Sequence, residues 1–599
     1  MDKLLERSQI DDNYKWNLEA IYSDDSIWEQ DYKEVESLGN EFVKYEGNLS
    51  ESGETLLSAI RLSEKVNRKL ERMYVYAHMR RDENNGNSVY QDMLMRVDFL
   101  ASNISAQMSF FEPEMLAIPE ETLRGYVEDV PGMELYRFAV EEQLRQKEHV
   151  LSEKEERLLA LAGEALGTPD EVFKMFNDAD IRFPVIKDPD GNKTELTKGR
   201  FSVFMDCTDR NVRKNAFKSL YKSYSNYKNT LAACYAGSVK GDCFYAKARR
   251  FKSSLEAALD SDNVSAEIYD NLIESIHSSL PAFHEYFKIR KKALGVSKLH
   301  LYDMYVPLVE IPEKKYSFEE AKQMVLNAVK PLGEDYCRVI EEAYNSGWID
   351  VYENAGKTSG AYSWGCFDSH PYVLLNWQGT VDDVFTLAHE LGHAMHSYYS
   401  NKTQPYTYAG YKIFVAEVAS TVNENLLIKY LLASSNDKTE KAYLINHYLE
   451  SIRLTIVRQV MFAEFEKKVH DMCEAGEALT CDMLCRVYYE LNKEYFGKNV
   501  VIDEEIAMEW ARIPHFYSSF YVYKYAIGFS AAVKLSDNIL SGDETLLRRY
   551  IEFLKSGGSN YPTELLKNAG VDLYTSDAVA SAMKLFSDML EEFKICLFE

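Results

Sequence analysis

The stretch Val381-Asp382-Asp383-Val384-Phe385-Thr386-Leu387-Ala388-His389-Glu390-Leu391-Gly392-His393-Ala394-Met395-His396 decides how this chain is read. Its apolar residues recur at helical spacing. Thr380 or Asp382 can cap the start, Asp383 falls in the first turn, and the pattern runs to about Tyr399. Residues four apart share a helix face, so His389 and His393 can reach one metal ion. Imidazole nitrogens suit Zn²⁺ at about 2.0–2.1 Å. Glu390 projects beside them, placed to act on a water rather than on the metal. The plainer alternative is a surface helix with two solvated histidines. Val384, Phe385, Leu387, Ala388, Leu391 and Ala394 argue against it, because a buried helix rarely carries polar groups without partners.

A catalytic zinc needs a third protein ligand and one open position. The segment Ile413–Tyr430 is helical by pattern and offers one. Glu417 stands in the apolar run Phe414-Val415-Ala416-Glu417-Val418-Ala419, where a carboxylate is costly unless paired or metal-bound.

The composition sets outer bounds. With 599 residues the chain exceeds one ordinary core, so at least two packed subregions are expected. A net charge of −27 is unsuited to nucleic acid and to anionic membrane faces. The basic run Lys247–Lys252 reads as a helix end. No stretch approaches a membrane span, and the first residues lack a secretory apolar run. Nine scattered cysteines suggest reduced thiols and a cytoplasmic location. Cys481 and Cys485 read as core thiols.

Outward from the motif, helical spacing dominates: Val35–Tyr45, Gly53–Val66, Lys69–Met79, Tyr90–Phe111, Pro119–Val130 and Met133–Glu148. Ser152 through Leu166 follows, with Ser152 and Glu155 as a capping box. Pro189-Asp190-Gly191 signals a turn, so a short hairpin closing near Lys198 is expected. It divides the chain into a helical N-terminal region, 1–200, and a catalytic region, 201–599. Helices resume from Asn211 to about Leu294. A β-like stretch, Gly360–Trp377, immediately precedes the motif helix. It can be a structural hairpin, or its edge can pair with an extended peptide. His370 within it reads as a turn residue.

Near the C-terminus, His515 through Tyr525 holds Tyr517, Tyr521, Tyr523 and Tyr525. A phenol or imidazole donor can stabilise a developing oxyanion. An aromatic cluster in the core is the competing reading.

Six stretches resemble the thimet-oligopeptidase family of zinc metallopeptidases, and within it the oligoendopeptidase F group. They are Asn177–Ile186 (NDADIRFPVI), Arg200–Arg210 (RFSVFMDCTDR), Leu299–Leu308 (LHLYDMYVPL), His389–His396 (HELGHAMH), Phe414–Thr421 (FVAEVAST) and Pro514–Gly528. The resemblance implies a mainly α fold, a helical ellipsoid enclosing a deep channel. A zincin-like catalytic core would carry a small antiparallel β element beside the site. It implies one Zn²⁺ held by His389, His393 and Glu417, with Glu390 as general base and Glu424 supporting the ligands. His515, Tyr523 and Tyr525 are the members of the C-terminal loop expected to act in catalysis. His396 is read as structural.

The expected function is zinc-dependent hydrolysis of internal bonds in short peptide substrates, with no nucleic acid or membrane partner. A zinc exopeptidase, or a helical scaffold that kept the motif without activity, are the competing classes. Cleavage of end-blocked peptides separates the first, and metal analysis with a peptide assay the second.

Overall fold

A computed structural model describes residues 4–309 and 314–599. Helices dominate, and the strands are two or three residues long. The chain divides into two compact units, each assembled from separated segments. The first comprises Met1–Glu148, Lys314–Tyr430 and Leu535–Gly570, and the second His149–Glu313, Leu431–Lys534 and Val571–Glu599. The boundary expected near residue 200 falls inside the second unit.

In the first unit, helices Asp25–Phe42, Gly53–Glu83 and Ser88–Met108 pack together around Trp28, Val35, Val66, Met73 and Val97. Gly53–Glu83 is one helix where the sequence suggested two, because Asn67 and Arg68 offer no breaker between the apolar stripes. A three-stranded sheet lies beside these helices. Its strands are β4 (Ile349–Asp350), β5 (Tyr362–Trp364) and β6 (Tyr372–Leu374), after β1 (Val185–Lys187), β2 (Lys193–Glu195) and β3 (Leu299–His300) of the second unit. The order is β4-β6-β5. β5 and β6 pair antiparallel, Ser363 opposite Val373, as the β-like stretch suggested. β4 adds a parallel neighbour to β6. β5 is therefore an edge. Trp364 on it meets His78 edge-on, ring centroids 5.0 Å apart, and Tyr362 donates to Asp82 at 2.8 Å.

The second unit contains Glu153–Met175, Lys228–Ala248, Ala266–Ala293, Lys438–Ile452, Arg458–Glu474, Cys481–Phe496 and Asp577–Phe598. Glu155 reaches back to the Ser152 N–H at 3.0 Å, the expected capping box. β1 and β2 form the hairpin foreseen around Pro189-Asp190-Gly191, and Gly191 takes a positive φ of 83° in its turn. β3 pairs parallel with β7 (Val500–Val501). No described helix is long and apolar enough to cross a membrane.

Candidate metal centre and active site

The motif helix runs Val381–Thr403. Thr380 accepts from the Asp383 N–H at 3.2 Å, and Asp383 accepts from the Thr380 N–H at 2.7 Å, which fixes where the first turn begins. Val384, Leu387, Ala388 and Leu391 are fully buried, so the helix is anchored along one side and pressed against β5 and β6. The ligand helix, Ile413–Ser434, is buried on most of its surface. Its less buried positions include Glu417 and Glu424, seven residues apart and on one face.

Gly392 sets the distance between these helices. A Cβ there would lie 2.5 Å from Ser420 Cα and 2.7 Å from the Ala419 carbonyl oxygen, so only glycine permits the approach. Asn423 then donates across to the Ala388 carbonyl at 3.1 Å, and Tyr336 donates to Asn423 at 3.0 Å. Ser420 donates to Glu417 Oε2 at 3.2 Å and so orients that carboxylate.

The result is a compact donor triangle. His389 Nε2 and His393 Nε2 are 3.1 Å apart, and Glu417 Oε2 lies 3.3 Å from the first and 3.5 Å from the second. Ligands at about 2.0–2.1 Å on a tetrahedral zinc stand about 3.3–3.4 Å from one another, so these residues fit that ion. His389 Nδ1 donates to Glu424 Oε1 at 2.7 Å, which leaves Nε2 as the acceptor nitrogen. Burial lowers the proton affinity of His389, but the Glu417 and Glu424 carboxylates outweigh it and push its pKa up to about 10. The two histidines hold the Glu417 carboxyl well below the usual range. Glu390 is 8% exposed, and burial raises its pKa against the pull of His389 and His393. It joins none of the donor atoms. His396 is enclosed instead, stacked on Tyr411 with centroids 3.8 Å apart. His370 stacks on Trp348 at 4.8 Å, a packing role.

A second grouping, His277 with Glu464 and Glu494, is a network of polar side-chain contacts. Its two ring nitrogens meet the two carboxylates at 2.7 and 3.0 Å, and Lys468 and Tyr495 also engage Glu464.

The tyrosine-rich loop belongs to the second unit. His515, Tyr521 and Tyr525 form one half-buried aromatic cluster, with Tyr521 and Tyr525 edge-on at 5.4 Å. Burial lowers the His515 pKa and favours the neutral ring. Tyr523 lies apart from this cluster, its side chain fully buried against Tyr269, 5.1 Å between centroids. The kink responsible is Phe520, with φ of 54° and its N–H donating to the buried Glu466 at 2.7 Å. The left-handed turn breaks strand-like alternation, and no residue type at 520 announces it. Gly392, Ser420 and Asn423 were likewise missed. The one available signal was a glycine lying between the two histidines.

A helical scaffold that buries a His-Glu-x-x-His helix and completes it with a carboxylate from the next helix defines a metallopeptidase-type centre. The comparisons agree. Residues 203–585 match the model of peptidase family M3, and residues 114–183 match that of oligopeptidase F. The chain belongs to family M3, a family that is generally zinc-dependent, and is a metalloendopeptidase acting on oligopeptides. It is 45% identical to oligopeptidase PepF of Bacillus subtilis, over 100% of this chain and 89% of that one. It is 40% identical to the chromosomal oligoendopeptidase F of Lactococcus lactis subsp. cremoris, over 98% of each. The crystal structure of oligoendopeptidase-F from Enterococcus faecium matches with a TM-score of 0.75 and 35% identity, covering 96% of this chain and 99% of that one.

Proposed function

We propose that the chain hydrolyses internal bonds of short peptides with one zinc ion, using Glu390 as the general base. One observation carries this reading: two imidazoles and a carboxylate converge within 3.1–3.5 Å, with a buried carboxyl beside them that joins none of them. His389, His393 and Glu417 would hold the ion. Zinc bound there acidifies a water toward neutral pH and polarises the scissile carbonyl. Glu390 takes the attacking water's proton on its carboxylate and delivers it to the leaving amine nitrogen. Glu424 keeps His389 in the tautomer whose Nε2 is free to bind. His515 and Tyr525 are the loop residues proposed to act as donors to the oxyanion, as the family resemblance implies. The open edge of β5 suits an extended peptide backbone, added as a further strand.

Chelation should abolish cleavage of a short peptide blocked at both ends, and zinc should restore it. Mass spectrometry of the products should find only internal cuts. Full activity in protein shown by elemental analysis to be metal-free removes the role of the ion. Failure on blocked peptides with cleavage of free ones replaces the endopeptidase by an exopeptidase.

A further inference from the structure

The second unit holds a narrow cavity that peptide hydrolysis leaves unused. Arg453, Arg458, Glu509, Tyr305 and Asn492 line it together with aromatic rings such as Phe217 and Phe496. Its free volume is about 30 Å³. The two arginines reach it because the helix changes pitch between them. In an α-helix, residues five apart stand about 140° apart around the axis. Here Arg453–Val457 is a π-helical turn set between Lys438–Ile452 and Arg458–Glu474. Its i→i+5 bonding widens the turn and brings positions 453 and 458 toward one side.

The charges around this cavity do not cancel. Glu509 is shared by Arg458 and Arg512, each at 2.7 Å. Glu450 is shared by Arg453 at 2.6 Å and Arg290 at 3.7 Å. The neighbouring Asp303 is already committed to Arg210 and Arg213, each at 2.8 Å. Four guanidiniums thus share two carboxylates, an excess of two positive charges, and of these groups Arg453, Arg458 and Glu509 line the cavity itself. Arg290 and Arg453 are only 1% and 4% exposed. Excess charge so placed is costly unless an anion offsets it. Donors are left over as well: among the described residues, nothing accepts from Arg453 Nη1 or Arg458 Nε.

We propose that the cavity is a binding site for a compact oxyanion of phosphate or sulfate size, received by the Arg453 and Arg458 guanidiniums. Such an ion supplies both the missing negative charge and the missing acceptors, and guanidinium geometry matches its oxygens. Water or a neutral molecule of the same size supplies only the acceptors.

The test is titration of the full-length protein with inorganic phosphate, at ionic strength held constant with chloride, read by calorimetry and by thermal unfolding. Phosphate and sulfate should stabilise saturably, and chloride should not. Arg453→Met should weaken phosphate about tenfold or more. Because Arg453→Met also strips Glu450 of its closest partner, the effect of phosphate is read within each variant as the shift in melting temperature on adding the ion. If the variant does not fold, selenate diffused into crystals of the unmodified protein decides the matter by its anomalous signal between the two guanidiniums. No saturable response, an equal response to chloride, unchanged affinity in Arg453→Met, or selenate only at the surface overturns the proposal.

Discussion

Replacing Gly392 by Ala tests whether helix packing sets the metal centre. The added methyl would stand 2.5 Å from Ser420 Cα, 2.7 Å from the Ala419 oxygen and 2.8 Å from Ser420 N, where ordinary contact begins at 3.4 Å. All three are backbone atoms, so none can swing aside. The helices must part by about 1 Å, and Glu417 travels with the ligand helix. The His–Glu separations of 3.3 and 3.5 Å then approach about 4.3–4.5 Å, while two ligands on opposite sides of one zinc span at most about 4.2 Å. Overpacking adds about 1–3 kcal/mol of destabilisation. We expect weakened zinc retention, a fall in kcat/KM on the order of 100-fold, and lower thermal stability measured in chelator. Gly125→Ala is the control, since its Cβ meets nothing within 4 Å. Parental zinc content and parental kcat/KM in Gly392→Ala would refute the argument, because the backbone clash leaves no other outcome.

Glu390→Gln should retain zinc while turnover falls by roughly 10²–10⁴-fold, and more than about a tenth of the parental rate with metal present would remove the base assignment. Glu417→Ala should lose zinc on dialysis together with activity; full occupancy by elemental analysis would send the third ligand elsewhere, with Glu424 the first suspect. Glu424→Ala should weaken zinc by about 10–100-fold in a competition assay with a chelating dye, and unchanged affinity would end its supporting role. His396 is 1% exposed, and burial pushes its pKa from 6.5 down to about 3. Between those values the unfolded chain takes a proton that the folded one refuses, so this residue costs up to about 1.4 kcal/mol per pH unit as pH falls below 6.5, and nothing above it. His396→Phe, stacked on Tyr411, should therefore gain on the parent in urea denaturation at about pH 5 relative to about pH 7.5; an equal difference at both would disprove the linkage.

The candidate donor triangle was legible because its signals are local. Helical spacing puts His389 and His393 on one face, and the apolar run around Glu417 makes a carboxylate conspicuous. The caps at Thr380 and Ser152 and the turn at Gly191 were legible for the same reason. Glu424 came with the family resemblance and only then acquired a geometry, 2.7 Å from His389 Nδ1. What stayed hidden depends on residues far apart in the chain. β4 joins β6 through backbone pairing that two residues cannot announce. Alternation alone cannot separate Tyr521 from Tyr523, because the positive φ at Phe520 decides which ring goes inside. The same limit applies to the units, since no local pattern states that residues 1–148 pack with 314–430 and 535–570.

That interleaving has a price during synthesis. A ribosome adds about 5–20 residues per second, so the segment Leu535–Gly570 emerges on the order of tens of seconds after residue 148. The first unit cannot finish closing in that interval. Its long amphipathic helices, among them Gly53–Glu83, must wait with apolar faces exposed while the second unit's first segment is made between the parts of the first. The histidines and carboxylates of the centre are all present once Tyr430 has left the tunnel, yet the helix Glu544–Lys555, which packs against the motif helix, is still unmade. Newly made chains therefore keep apolar faces uncovered for longer than a domain of continuous sequence would, and the motif helix gains its full packing only in about the last tenth of translation.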